Sequence, residues 1–288
     1  MEKKILFVDL DGTLLTDSKE ITAENLEAIQ KATDLGHAIV VTTGRPLAST
    51  ARQVEKLGLT KPGCYAITSN GALIYDAHTK ETIFYKGVHR DCIREAFDEA
   101  YRFHIHPQTY SMTGVLCEHD TEEMKYYARS NIISYEVVED VTSVLDFDPI
   151  KLLFIDLHDR GHLEEFREHM ADWTRENHLD MFFSCDQYLE FLPEGINKGS
   201  GVRFIRDYLK VSAENTLAAG DAENDIAMLQ AVHTPCVMKM PGRKCMPTLP
   251  ILRNVTIIIP ELQKSLKNLC YRNDIKMRIS LIRPINGY

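Results

Sequence analysis

The chain has 288 residues, 44% of them hydrophobic and 26% charged, so we expect one large or two moderate globular domains with an ample core. Its net charge of −9 argues against nucleic acid as the main partner, because phosphate backbones are bound by basic surfaces. No apolar run reaches the roughly 18 residues of a membrane helix, no signal-peptide pattern precedes the first strand, and the seven cysteines include no CxxC pair. We therefore expect a cytoplasmic protein with reduced thiols and no membrane partner, whose oligomeric state the sequence does not indicate.

Short buried strands and amphipathic helices alternate in the first part of the chain. The apolar run from Ile5 to Val8 predicts a strand, Thr22 to Leu35 a helix, and Ala38 to Val41 a second strand. A second helix is predicted after Pro46, and a third strand from Tyr65 to Thr68. This alternation is typical of an α/β fold with a doubly wound parallel sheet and right-handed crossovers.

The alternation changes after a predicted hairpin from Leu73 to Tyr85, which indicates a second unit of α+β type. Helices are predicted there from His89 to Phe103 and from Arg160 to Asn177. The first pattern resumes with the helix that Lys198 opens. We therefore predict a core and an inserted domain, which comprise residues 1–84 with 187–288 and residues 85–186, respectively.

Four polar clusters follow the ends of predicted strands or open predicted helices in the core. They are Asp9 with Asp11, the tripeptide Thr43-Gly44-Arg45, Lys198, and Asp221 with Asn224 and Asp225. Because the carboxyl ends of parallel strands meet at one edge of a doubly wound sheet, these clusters are expected to converge on one crevice. Carboxylates from two loops form a hard oxygen site that suits Mg²⁺ together with phosphate oxygens.

The same residue types suit phosphoryl transfer. Lysine supplies the countercharge that a phosphoryl group needs, and the Thr43 hydroxyl with backbone N–H groups near Gly44 can bind its oxygens. A carboxylate beside a metal can act as nucleophile, and a second aspartate two residues later can deliver a proton to the leaving oxygen.

In order and spacing, four motifs resemble those of the haloacid dehalogenase superfamily: Asp9-x-Asp11-Gly12-Thr13, Thr43-Gly44-Arg45-Pro46, Asn197-Lys198-Gly199 and Gly220-Asp221-x-x-Asn224-Asp225. The insertion is similar to the cap of the Cof-type phosphatases in that superfamily. The resemblance covers residues 1 to about 239 and implies a Rossmann-like core with an inserted α+β cap domain. It also implies a Mg²⁺-dependent phosphatase that hydrolyses small phosphorylated metabolites, chiefly sugar phosphates, through an aspartyl-phosphate.

The resemblance further implies a role for each motif residue. Asp9 would be the nucleophile, Asp11 the general acid/base, and Lys198 the charge stabiliser. Phosphate or substrate would be bound by Thr43, Gly44, Arg45 and Asn224, and Mg²⁺ by Asp9, Asp221, Asp225 and the backbone carbonyl of Asp11. Two assignments have alternatives, because Arg45 equally suits pairing with a carboxylate and Asp225 suits ordinary compensation of a helix dipole.

Two other functions remain open from the sequence. A phosphohexose mutase would share these motifs and return an isomerised sugar phosphate rather than free phosphate. A regulator that binds a phosphorylated metabolite with little turnover would bind tightly without releasing phosphate. A carbon–halogen hydrolase is disfavoured, since such an enzyme has no use for the acid at Asp11.

Residues 240–288 have a different composition, with nine Lys and Arg, two Asp and Glu, and five of the eleven prolines. Back-translation from Lys239 with a shift of one base permits Asn-Ala-Gly-Lys-Glu-Val-His-Ala-Tyr-Ala-Ala-Asp. The same shift applied to the codons of residues 260–269 permits Ser-Gly-Val-Ala-Lys-Val-Ile-Glu-Lys-Phe. Both peptides resemble the ending of the family. We interpret this atypical tail as the product of a frameshift, with a basic, partly ordered extension as the alternative.

Overall fold

A computed structural model describes residues 2–16, 19–111 and 114–238, together with one further strand, Thr256–Ile258. The first elements are β1 (Ile5–Asp9), α1 (Ala23–Asp34), β2 (Ala38–Thr42), α2 (Leu47–Lys56), β3 (Cys64–Thr68), β4 (Leu73–Asp76) and β5 (Glu81–Tyr85). The middle elements are α3 (Ile93–Arg102), β6 (His106–Tyr110), β7 (Val115–Cys117), α4 (Glu122–Asn131), β8 (Tyr135–Val137), α5 (Val141–Val144), β9 (Leu152–Ile155), α6 (Arg160–His169), α7 (Ala171–Glu176), β10 (Leu179–Cys185) and β11 (Tyr188–Pro193). The last elements are α8 (Lys198–Tyr208), β12 (Thr216–Gly220), α9 (Ile226–Gln230), β13 (Thr234–Met238) and β14 (Thr256–Ile258).

The core sheet has the strand order β14-β13-β12-β1-β2-β3-β4-β5. Its strands are parallel from β14 to β3, and β4 and β5 then add an antiparallel hairpin. One apolar cluster joins the sheet to Ile29 of α1 and Val54 of α2, and a second joins it to Val202 of α8 and Met228 of α9. Helices therefore cover both faces, which confirms the doubly wound α/β core.

The cap sheet has the order β10-β11-β9-β6-β7-β8 and is antiparallel apart from the β7–β8 pair. On one face, Phe97 of α3 and Phe166 of α6 pack into a large apolar cluster. On the other face, Met124 and Tyr127 of α4 belong to a cluster that also contains Leu73 of the core. This second face therefore packs against the core domain.

The structure differs from the sequence-based description in two places. The predicted boundary at residue 186 precedes β11, but β11 pairs with β9 and β10, so the cap sheet extends to Pro193. In place of the single helix predicted for residues 160–177, the chain forms two helices, α6 and α7, which meet at Met170 with φ −83° and ψ −1°. The Met170 side chain is buried in the cap cluster at this junction.

Two further expectations concern the membrane and the tail. Across the described ranges, no helix is both long and apolar enough to cross a membrane. The frameshift inferred from the sequence would begin at Lys239, and residues 239–255 and 259–288 lie outside the described residues.

His106, at the start of β6, is expected to make the stability of the protein depend on pH. Burial lowers the pKa of His106 to about 4, below the value of about 6.5 for an unfolded chain. Between these values the unfolded chain binds more protons, so the free energy of unfolding falls as pH drops from 6.5 towards 4. We expect the free energy of unfolding to fall by about 1.5 kcal/mol between pH 6.5 and pH 5 because of this residue, measured by urea unfolding of the wild type against His106→Asn. Equal losses in the two proteins would contradict the assignment.

Candidate active site

The loop after β1 lies directly against the loop after β12. Gly12 has φ +85°, and a Cβ atom at this position would lie 2.5 Å from a carboxylate oxygen of Asp221. Only glycine combines that backbone conformation with such a close approach. The Thr13 hydroxyl donates a hydrogen bond to Asp221 Oδ1 at 3.0 Å. The first and last sequence motifs are therefore joined at one edge of the sheet.

A buried lysine lies between two carboxylates beneath this edge. Lys198 opens α8, is fully buried, and donates to Asp9 Oδ1 at 2.6 Å and to Asp225 Oδ1 at 2.5 Å. Burial raises the pKa of Asp9 well above its usual range, against the opposing effect of Lys198 and with the further help of Asp225 and Asp221. Burial would lower the pKa of Lys198, but Asp225 and Asp9 outweigh it and raise that pKa. The lysine therefore carries its charge inside the protein.

Three carboxylates converge at this position and could hold a cation. Asp9, Asp221 and Asp225 each offer a ligand oxygen, and these atoms lie within 4.8 Å of one another. Asp225 is already engaged, since its Oδ2 accepts the backbone N–H groups of Asp221 and Ala222 at 3.0 Å each. The crowding of three carboxylates around one lysine contributes to the raised pKa of Asp9, and a divalent cation would relieve their repulsion, so the donor set fits Mg²⁺. The contacts of Asp225 favour a role in holding Lys198 and the loop after β12.

Asp11 points away from this cluster towards two cations. Arg45 donates to both of its carboxylate oxygens, at 2.7 Å from Nε and 2.6 Å from Nη2, and Lys19 Nζ lies 2.6 Å from Oδ1. Burial would raise the pKa of Asp11, but the hydrogen bonds and charges of Arg45 and Lys19 outweigh it and lower that pKa. In this structure Arg45 thus pairs with a carboxylate, the alternative that the sequence left open. Lys19 was not identified from the sequence.

The segment Thr43–Arg45, which we call the Thr43 loop, follows β2 at the same edge. Thr43 is buried, and its backbone N–H donates to Ile67 O at 2.9 Å. Its hydroxyl oxygen accepts the backbone N–H of Arg45 at 3.1 Å. Within the described chain this hydroxyl donates to no acceptor, so it can donate a hydrogen bond to an incoming oxyanion.

A cleft of about 510 Å³ separates the Thr43 loop and the β1 edge from the cap. The predicted site residues that line it are Asp9, Asp11, Thr43, Gly44, Arg45 and Asn224. The cap side is lined by Tyr126, Tyr127, Ser130, Asn131, Ser184, Cys185, Gln187 and Tyr188. Lys198 contacts Asp9 from beneath and is itself bonded to Asp225, and Asp221 lies against Gly12. All nine residues predicted from the four motifs therefore lie in or directly below one cleft.

Sequence reasoning missed three buried polar residues at the core–cap junction: Asn70, Lys151 and Glu190. Asn70 follows β3 at the same sheet edge as the motifs, in the turn Ser69-Asn70-Gly71. Lys151 and Glu190 lie beside or within apolar cap strands, where 1% and 2% of their surfaces are exposed. A charged residue inside an otherwise apolar strand is the signal that could have found this pair, since buried charges need partners.

The chain is similar in sequence and in fold to known proteins. Residues 6–241 match the model of the haloacid dehalogenase-like hydrolase family. A Streptococcus pyogenes protein named as a phosphatase is 31% identical over 245 residues, which cover 83% of this chain and 88% of that protein. The 5-amino-6-(5-phospho-D-ribitylamino)uracil phosphatase YitU of Bacillus subtilis is 28% identical, over 80% of this chain and 85% of its own. A haloacid dehalogenase-like hydrolase from Bacteroides thetaiotaomicron has the same fold, with a TM-score of 0.81, 21% identity, and coverage of 93% of this chain and 100% of that chain.

Proposed function

Since this chain belongs to the haloacid dehalogenase-like hydrolases and is a phosphoric monoester hydrolase of that family, we propose that it is a Mg²⁺-dependent phosphatase of small phosphorylated metabolites. The observation that carries the proposal is the buried Asp9–Lys198–Asp225 cluster on the floor of a cleft that Thr43 also lines. It combines a nucleophilic carboxylate, a fixed cation and an oxyanion ligand.

In this proposal Asp9 attacks the phosphorus atom and forms an aspartyl-phosphate, which water then hydrolyses. Asp9 and Asp221 would hold Mg²⁺, which would neutralise charge on the phosphoryl oxygens. Lys198 Nζ, 2.6 Å from Asp9 Oδ1, opposes the rise in the pKa of that carboxyl group and would stabilise the extra negative charge of the transition state. The Thr43 hydroxyl and the backbone of its loop bind the remaining oxygens.

Asp11 acts in the proposal as the acid that protonates the leaving oxygen. In the substrate-free structure its partners Arg45 and Lys19 favour the ionised form. A phosphate dianion entering the cleft gives both cations an alternative partner. When Arg45 and Lys19 turn from Asp11 to the substrate, the groups that lower the pKa of Asp11 are removed. Asp11 can then take up the proton that it donates to the leaving oxygen.

The cap side of the cleft suggests the substrate class. Its charged residues, Lys151 and Glu190, pair with each other at 2.9 Å, and the other lining groups are hydroxyl, amide, thiol and aromatic. Such a wall suits an uncharged polyhydroxylated leaving group better than a second phosphate or a carboxylate. The name of the B. subtilis relative describes a substrate with a ribityl chain, which supports the same class for this chain. We therefore propose monophosphates of sugars and alditols.

Phosphate release from a panel of monophosphates tests this function. We expect release with Mg²⁺, loss of release in EDTA, and recovery when Mg²⁺ is restored. Neutral sugar and alditol monophosphates should have higher kcat/KM than sugar bisphosphates or phosphorylated acids. A folded protein that releases no phosphate from any ester would contradict the proposal, and an isomerised sugar phosphate would identify a mutase.

A further inference from the structure

Asn70 sits in a strained turn that is tied to the Thr43 loop. Ser69 and Asn70 have φ values of +46° and +54°, two consecutive left-handed residues without a glycine. The backbone N–H of Asn70 donates to Thr43 O at 3.0 Å, and that of Ser69 donates to Arg45 O at 2.9 Å. A conformation that costs energy is therefore held by bonds to both ends of the Thr43 loop.

The Asn70 side chain links two other segments. It is 1% exposed, its Nδ2 donates to Glu190 Oε2 at 3.0 Å, and its Oδ1 accepts from Asn224 Nδ2 at 3.0 Å. A carboxylate only accepts hydrogen bonds, so Glu190 fixes which end of the Asn70 amide faces it and thereby how Asn224 is held. Gly44 passes so close that a Cβ atom there would lie 3.1 Å from Asn70 Nδ2.

The cap completes this chain of contacts through a buried ion pair. Lys151 Nζ lies 2.9 Å from Glu190 Oε2 and donates to the backbone carbonyl of Gly44 at 3.1 Å. Both side chains are almost fully buried, at 1% and 3% exposure. Two residues of the cap thus hold one backbone atom of the Thr43 loop and one side chain that supports Asn224.

We propose that Asn70, Glu190 and Lys151 are positioning residues, which fix the Thr43 loop and Asn224 in the geometry that binds the phosphoryl group. The inference rests on the proposed function, because it assigns the Thr43 loop to phosphate binding. These residues act through the loop and Asn224 rather than by contact with the reacting atoms. The cap consequently supports phosphate binding itself, in addition to facing the leaving group.

Two variants break the chain of contacts at different links. Asn70→Gly removes the amide and keeps the left-handed backbone, which glycine adopts without strain. Glu190→Gln is isosteric and removes the charge that Lys151 and Asn70 share. We expect each variant to lower kcat/KM and to raise the inhibition constant of inorganic phosphate by about 10- to 100-fold, the range for partners that orient a ligand group. The kcat/KM and the phosphate inhibition constant of the double variant should be close to those of the more impaired single variant, because both changes interrupt one chain of contacts.

Asn177→Ala is the matched control. Its amide donates to Trp173 O at 2.9 Å and its carbonyl oxygen accepts from Cys92 Sγ at 3.1 Å, so it supports the cap without reaching the core loops. We expect a lower unfolding midpoint with an unchanged phosphate inhibition constant. All assays are made well below the unfolding midpoint of each variant.

Three results would overturn the inference in an active wild-type enzyme: phosphate inhibition constants unchanged in both variants, losses that multiply in the double variant, or Asn177→Ala matching Asn70→Gly in phosphate affinity. If Glu190→Gln fails to fold, Asn70→Gly decides the question alone, since it leaves the Lys151–Glu190 pair intact. A wild-type protein without phosphatase activity would instead reject the proposed function.

Discussion

Replacement of Asp9 by asparagine is expected to reduce phosphate release on the order of 10⁴-fold or more, because an amide cannot form the aspartyl-phosphate. The fold should survive the change, since Lys198 keeps its contact with Asp225 at 2.5 Å. The measurement is kcat for the best ester of the panel at saturating Mg²⁺, together with thermal unfolding of the same preparation.

The matched control is Asp34→Asn, an exposed aspartate whose contact with Lys61 lies on the surface. It should retain activity within about twofold, as is usual for a surface substitution. Asp9→Asn activity within tenfold of the wild type, after exclusion of a contaminating phosphatase, would show that Asp9 is not the nucleophile.

Lys198→Met is expected to lower kcat/KM about 10³-fold, the cost of losing a fixed donor to developing negative charge. It should also destabilise the fold by about 3 kcal/mol, because Asp9 and Asp225 would remain as buried carboxylates without a cation between them. Enzyme kinetics and urea unfolding at pH 7 measure the two effects on one preparation.

Acidification should partly relieve the loss of stability in this variant, since protonation of either carboxylate removes the repulsion. Lys56→Met, at an exposed lysine that pairs with Glu20, is the control and should change neither quantity appreciably. A Lys198→Met protein as stable as the wild type would contradict the assignment of Lys198 as a buried counterion.

The architecture of the core could be predicted because its strands carry strong local patterns. The apolar run of β2 predicts a buried parallel strand, and all five of its residues are buried in the structure. Asp9 ends β1 and Thr43 follows β2, which are adjacent parallel strands, and the rule that such strands end at one sheet edge predicts from the sequence that the motifs lie together.

The junction with the cap could not be predicted in the same way. The partner of Asp11 depends on a side-chain direction, and no sequence spacing connects Asp11 to Arg45 and Lys19. Contacts such as Asn70–Glu190 join residues 120 positions apart and exist only once the two sheets have packed. The sequence pattern places the residues of β11 in the core, because only the pairing of β11 with β9 and β10 in the folded protein puts them in the cap.

The composition of the chain changes after Lys239. The family-model match ends at residue 241, next to Lys239, where the change of reading frame is inferred. We propose that one lost base separates this chain from its ancestral ending and lowers its stability. Sequencing of the gene tests the lost base, and the unfolding midpoint of a frame-restored protein tests the loss of stability. The proposal would be contradicted by a gene without a lost base near Lys239, or by a frame-restored protein with an unfolding midpoint no higher than that of this chain.

The most direct test of the central claim is a pre-steady-state reaction of Asp11→Asn with 4-nitrophenyl phosphate and Mg²⁺. This leaving group departs without a proton, so phosphoryl transfer to Asp9 should proceed while hydrolysis of the aspartyl-phosphate, which needs the base at position 11, is slow. The account predicts a burst of about one nitrophenol per active site and, after an acid quench, phosphate on the peptide that contains Asp9. Turnover without a burst and without phosphorylated peptide, or phosphate on any other residue, would contradict it.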